Sequence, residues 1–161
     1  MVAPERNAGT YDRGLFRHWI DADRDGCNTR CEVLEAERRS DLPGLASGWE
    51  SMYDGYTTDD SDELEIDHVV ALAEAWRSGA DGWDEARREA FANDLDEPDA
   101  LVAVTAATNR SKSDRDPASW QPPNRSSWCR WANAVVTVKR KWGLSVDQAE
   151  ATALEYILAL C

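Results

Sequence analysis

Apolar positions recur along the chain at two spacings, and the switch between them marks out the elements. Over residues 13–20, Leu15, Phe16 and Trp19 fall on one side of a short helix. Residues 29–39 read as a second helix with Val33 and Leu34 turned inward. The stretch from Trp49 to Thr58 contains Asp54-Gly55, a pair suited to a type I′ turn between short strands because both central positions need positive φ. Residues 63–67 predict a strand that leads into His68. Residues 70–78 are helical and stop at Gly79, and residues 84–93 give a further helix. Leu101-Val102-Ala103-Val104 reads as a short buried strand, after which the Thr105 hydroxyl is a natural N-cap for a helix running to about Ser111. A Pro-rich loop over 113–124 precedes two closing helices, 126–142 and 146–160. The second of these aligns Val146, Ala149, Ala153, Leu154, Ile157 and Leu158. This order predicts an α+β fold: a single domain over 1–161, a small antiparallel sheet embedded in helices, and a flexible N-terminal segment over 1–12.

Composition supports a real core. The 161 residues are 42% hydrophobic and 30% charged, and eight Trp argue against disorder. Trp76, Trp83, Trp131 and Trp142 sit at helical positions with apolar neighbours and read as core. Trp120, in the loop, could stack a base, but packing is the favoured reading. No apolar run reaches the roughly 18 residues of a membrane span, so no membrane association is expected. Residues 1–12 are polar and carry no signal peptide, so a secreted protein would be represented here by its mature form with a replaced start.

Cys27, Cys31, Cys129 and Cys161 make no C-x-x-C pair and have no His nearby, which argues against zinc. Two readings stay open: a disulfide framework formed in an oxidising compartment, with Cys161 stapled to Cys129, or reduced buried thiols of a cytoplasmic protein. A monomer is the default expectation.

The net charge of −13 argues against nucleic acid as a partner until its distribution is considered. Residues 1–100 hold 26 acidic and 10 basic side chains, whereas residues 110–141 hold 8 basic and 2 acidic ones. That segment is either a basic groove on an acidic body or a solvated helix face. It contains Asn109-Arg110-Ser111-Lys112, about forty residues after Asp67-His68. Phosphodiester hydrolysis needs a base to activate water and a cation to neutralise developing charge. A neutral His is the natural base near pH 7, and the chain has only His18 and His68. His18, beside Trp19, reads as a surface or packing residue. Asp67 supplies a carboxylate and Asn109 an amide oxygen, donors suited to a hard cation. Arg110, Lys112 and Arg115 are cations for the scissile phosphate and its neighbours. Asp67-His68 taken alone reads more readily as a capping Asp beside a structural His.

Ile66-Asp67-His68-Val69 and Asn109-Arg110-Ser111-Lys112-Ser113-Asp114 closely resemble the two motifs of the HNH module in RNA-guided DNA endonucleases. More of the chain, roughly 13–161, resembles the actinobacterial, usually secreted, HNH endonuclease family. The matching stretches include Asp25-Gly26-Cys27-Asn28-Thr29-Arg30, Asp67 through Trp76, Phe91-Ala92-Asn93-Asp94-Leu95 and Trp120-Gln121-Pro122-Pro123. The resemblance implies a ββα-metal core, with His68 as general base and Asp67 and Asn109 as ligands of a catalytic Mg²⁺ or Mn²⁺. It departs in two places. The third HNH position has no His. A Cys expected within 40–50 as partner of Cys27 is missing, which leaves Cys31 as substitute in a short Cys27–Cys31 loop.

Residues 21–32 also fit the D-x-D-x-D-G-x5-E pattern of a calcium loop. Asp21, Asp23 and Asp25 would supply carboxylates, Cys27 its backbone carbonyl and Glu32 a bidentate carboxylate to a structural Ca²⁺. The other reading is an Asp-rich solvated loop. These features together predict a secreted, metal-dependent, sequence-nonspecific endonuclease acting on DNA, with RNA as a second candidate substrate, contacting mostly the backbone. The alternatives are a cytoplasmic restriction-type or phage HNH nuclease with selectivity, and a noncatalytic calcium-stabilised envelope binding module.

Overall fold

Two five-residue strands organise the chain in the computed structural model, which describes residues 1–6 and 8–161. The strands are β1 (Trp49–Glu50), β2 (Thr57–Thr58), β3 (Leu64–His68) and β4 (Leu101–Thr105). The helices are α1 (Thr29–Ala36), α2 (Leu72–Arg77), α3 (Glu85–Ala92), α4 (Ala106–Lys112), α5 (Trp128–Trp142) and α6 (Gln148–Leu158). β3 and β4 pair antiparallel from Leu64↔Thr105 to His68↔Leu101, with α2 and α3 inserted between them. Directly opposed residues share a face of the sheet. Leu64, Ile66, Leu101 and Ala103 therefore cluster with Val33 of α1 and with Trp49. Val102 and Val104 face the larger core, with Tyr53, Trp131, Val135 and Ile157.

The sheet passes directly into α4. The Thr105 side chain accepts the Thr108 N–H, and the helix lies against both strands. The α+β class and the strand–helix order thus follow the alternation of apolar runs. α5 ends on Gly143 at φ 68, where the left-handed turn lets Leu144 N–H return to the Lys139 carbonyl. Between α2, α5 and α6, the buried Lys139 ammonium joins Glu74 at 2.8 Å and Glu150 at 2.5 Å.

Three expectations change. Residues 13–20 form only a 3₁₀ turn at Arg13–Leu15, because the backbone is already extended at Phe16 and Trp19 adopts φ 60, which ends any helix. The N-terminal segment is fastened rather than loose: Ala3 N–H and Val146 N–H bond to Val146 O and Met1 O, and Arg6 pairs with Asp81 at 2.8 Å. Asp54-Gly55 lies in a wider turn over 51–56, where Ser51 N–H bonds to Tyr56 O, so it is not a two-residue hairpin.

Both disulfides are formed. Cys27–Cys31 closes the loop before α1, and Cys129–Cys161 ties the start of α5 to the chain end. Closing a loop of 32 residues limits the unfolded chain by about 3–4 kcal/mol. Cys129→Ser/Cys161→Ser is expected to lower the melting temperature by about 10 °C, at about 2–4 °C per kcal/mol. Calorimetry with and without reductant checks this, and an unchanged melt would remove the staple from the stability argument.

Candidate active site

Asp67 and His68 end β3, and neighbouring strand residues point to opposite faces. Both nevertheless line one cavity of about 330 Å³, because it opens at the strand's end. Asn109 and Arg110 reach it from α4, Tyr11 and Arg13 from the N-terminal segment, and Ser113 and Asp114 from the loop beyond α4.

His68 is only 6% exposed. Its Nε2 lies 2.9 Å from the Ala92 carbonyl. A carbonyl only accepts, so Nε2 carries the hydrogen and Nδ1 is left as the ring's acceptor. Trp19 stacks on the ring at 5.5 Å between centroids, and Phe91 lies near-parallel to it at 6.4 Å. Burial pushes the imidazole down to about pKa 3. The Ala92 bond opposes this, while Arg13, Lys112 and His18 reinforce it. The ring is therefore held as the neutral base at neutral pH. Phe91 and Ala92, which end α3, and the capping Asn93 divide the work of support: Phe91 flanks the ring, Ala92 fixes its tautomer, and Asn93 bonds Ile20 N–H and Arg17 O on the segment carrying Trp19 and the Thr29 hydroxyl at the start of α1.

Asp67 Oδ2 takes two short contacts, 2.7 Å from the Tyr53 hydroxyl and 2.7 Å from Lys112 Nζ. The Lys112 ammonium also donates to His68 O at 2.9 Å and is 1% exposed. The expectation that Lys112 holds a substrate phosphate is corrected: it is spent inside the protein, bracing the end of β3 against α4. Asn109 Nδ2 donates to Glu65 Oε2 at 2.7 Å, so its orientation is fixed and its carbonyl oxygen stays available. Glu65, two residues before Asp67, also meets the exposed Arg110 at 3.3 Å. Arg115 is exposed and is not among the residues lining the cavity. Among the described residues one oxygen of Asp67 and the Asn109 carbonyl are unengaged beside the same cavity, and this donor set fits a hard divalent cation.

Tyr53, Glu65, Tyr11 and Arg13 were not singled out from the sequence. The alternation along β3 places Glu65 on Asp67's side, a signal that was there to use. The other three arrive through tertiary contacts that no local spacing announces. Trp120 packs against Tyr53 and Trp131 and donates to the Ser111 hydroxyl, in keeping with a packing role.

In the 21–32 loop, the carboxylates of Asp21, Asp23 and Asp25 gather within 4.8 Å of one another. Gly26 turns at φ 96, and its N–H bonds to Asp21 Oδ2. Glu32 is not within that group, although Asp23, Asp25 and Asp21, after desolvation, push its carboxyl above the usual range. The Cys27 sulfur is occupied by the disulfide, which leaves only its carbonyl for a cation.

A neutral imidazole, two oxygen donors and guanidinium groups around one cavity can activate water beside an anionic ester. Residues 19–155 match the family described as GmrSD restriction endonucleases, C-terminal domain, and the chain belongs to this nuclease family. It is also 39% identical, over 165 residues covering 99% of this chain and 80% of the relative, to an "Uncharacterized secreted protein" of Arthroderma benhamiae (strain ATCC MYA-4681 / CBS 112371). No solved structure matches the chain.

Because folding lowers the His68 pKa from near 6.5 to about 3, the unfolded chain binds the proton first. This group's contribution to stability is full above pH 6.5 and is lost as pH falls toward 3. In ¹⁵N spectra of the imidazoles, His68 is expected to stay neutral, with hydrogen on Nε2, from pH 7 to 4. Titration near pH 6.5 would overturn the buried-base geometry.

Proposed function

We propose that the chain is a secreted, metal-dependent HNH endonuclease hydrolysing DNA, with RNA as a further substrate, and that β3, β4 and α4 form its ββα-metal core. The observation that carries this reading is the His68–Ala92 bond, which leaves Nδ1 as a base in the cavity that Asp67 and Asn109 also line. Membership of a nuclease family supports it. Two disulfides and a relative described as secreted support an extracellular setting. The narrower kinship with actinobacterial secreted HNH nucleases rests on the motif stretches alone. The family's description as restriction endonucleases favours a second reading, a selective restriction-type enzyme, and the disulfides weigh against its cytoplasmic setting.

In this mechanism His68 Nδ1 takes a proton from water as its oxygen attacks phosphorus and the bond to the leaving 3′ oxygen breaks. The Ala92 carbonyl steadies the imidazolium that forms. Mg²⁺ or Mn²⁺ held by Asp67 and Asn109 would neutralise charge on the phosphate and leaving oxygen. Tyr53 and Lys112 keep Asp67 in place, and Glu65 does the same for Asn109. Arg110 exchanges Glu65 for substrate phosphate. At the separate 21–32 loop, Asp21, Asp23, Asp25, the Cys27 carbonyl and Glu32 are proposed to hold a structural Ca²⁺.

Plasmid DNA is expected to be nicked with Mg²⁺, to be spared with EDTA, and to be cut at least about 100-fold more slowly by His68→Ala. A folded His68→Ala protein with full activity would sink the mechanism. For the loop, millimolar Ca²⁺ is expected to raise the melting temperature by several degrees, since ligand at 100 times Kd adds about 2.7 kcal/mol. Asp23→Asn/Asp25→Asn should remove the shift; no shift in the unsubstituted protein would leave a solvated acidic loop.

A further inference from the structure

The cavity's cations are unequally committed. Lys112 is buried on Asp67 and the His68 carbonyl. Arg110 lies against Glu65 at 3.3 Å. Arg13 lines the same cavity and is exposed, yet among the described residues no carboxylate meets it within ion-pair distance. What sets Arg13 apart is its place on the cavity wall, where its neighbours hold it without cancelling its charge. His18 Nδ1 donates to Phe16 O at 2.8 Å, which turns Nε2 toward Arg13 Nη2 at 3.4 Å as an acceptor. Tyr11, on the same wall, lies near enough to Arg13 for the two side chains to interact electrostatically.

We propose that Arg13 is a catalytic residue of this site, its guanidinium gripping a nonbridging oxygen of the scissile phosphate across the cavity from Asn109 and Arg110, with His18 and Tyr11 as its positioning residues. The inference rests on the nuclease reading and assigns the phosphate grip that Lys112 does not supply. A guanidinium is suited to the task because its planar fork makes two parallel bonds to phosphate oxygens and stays charged at every working pH. The placement also explains why the N-terminal segment is fastened to the body: Arg6 bonds to Arg77 and Asp81 upstream, and the Asp12-capped turn fixes the backbone at Arg13 itself.

The test uses the full chain, as Arg13→Ala, Arg13→Lys and, as a surface control, Arg17→Ala, whose side chain pairs with Glu89 away from the cavity. Cleavage of DNA with Mg²⁺ gives kcat and KM, and fluorescence anisotropy of a labelled oligonucleotide in EDTA gives binding across a salt series. Arg13→Ala is expected to lose about 100-fold in kcat, the effect of removing one transition-state donor. The slope of log K against log salt should fall by about one. Arg13→Lys should regain the salt slope but not the full kcat, since it keeps the charge without the fork. Arg17→Ala should match the unsubstituted chain, and all four proteins should melt within about 2 °C of one another. An active parent protein with Arg13→Ala equal to it in kcat and salt slope would overturn this proposal alone. A parent protein that neither cleaves nor binds nucleic acid would overturn the nuclease reading, and this one with it.

Discussion

The Lys112 ammonium, shut away from solvent between the Asp67 carboxylate and the His68 carbonyl, joins the end of β3 to the end of α4. Burying an ammonium costs on the order of several kcal/mol unless its charge and donors are met. Here two acceptors on consecutive residues of one strand meet them. The arrangement dictates register, because a slip of one residue along β3 would move the carboxylate to the other face of the sheet. It also consumes one oxygen of Asp67 and the charge of the cation. The chemistry at the cavity is left to His68, Asn109 and the guanidinium groups around them.

The environment of His68 follows a different rule. No carboxylate touches its ring among the described contacts; aromatic faces flank it and a backbone carbonyl holds one nitrogen. Burial without an acidic partner favours the neutral ring, whereas the common His–carboxylate pairing would raise the pKa. A protein with 31 acidic side chains thus keeps acid away from its proposed base and places Arg13 and Lys112 near it instead. The acidic surplus is spent elsewhere, on helix caps such as Asp84 and Asp147, on the 21–32 loop, and on the buried Lys139–Glu74–Glu150 cluster behind α2.

The support of the cavity is spread over distant parts of the chain. Trp19 and Arg13 come from the first twenty residues, Phe91 and Ala92 from the end of α3, and Asn109 from α4. Asn93 ties the first of these parts to the second through hydrogen bonds to Ile20, Thr29 and Arg17. Such a site is held by convergence on rigid elements, and each supporting contact is individually modest.

Local chemistry was legible along the chain. The β3 strand, the Thr105 cap and the closing helices follow from apolar periodicity and capping, which depend on neighbours a few residues apart. The α+β class was readable for the same reason, whereas bringing Asp67-His68 together with Asn109 rested on the resemblance of the two motifs to HNH nucleases. Where the sequence reading and the structure part, a long-range contact decided the outcome. Leu15, Phe16 and Trp19 satisfy a helical pattern, yet Phe16 is drawn into the core and Trp19 turned left-handed to cover His68. Lys112 reads as a surface cation, yet tertiary packing buries it on Asp67. Arg13 carries no motif and enters the cavity because residues far away in sequence fix the N-terminal segment. Local spacing along the chain was enough to give β3, β4, the helices from α1 onward and their order. The third dimension decided which charges meet, since ion pairing and desolvation depend on distances through space that no linear spacing encodes.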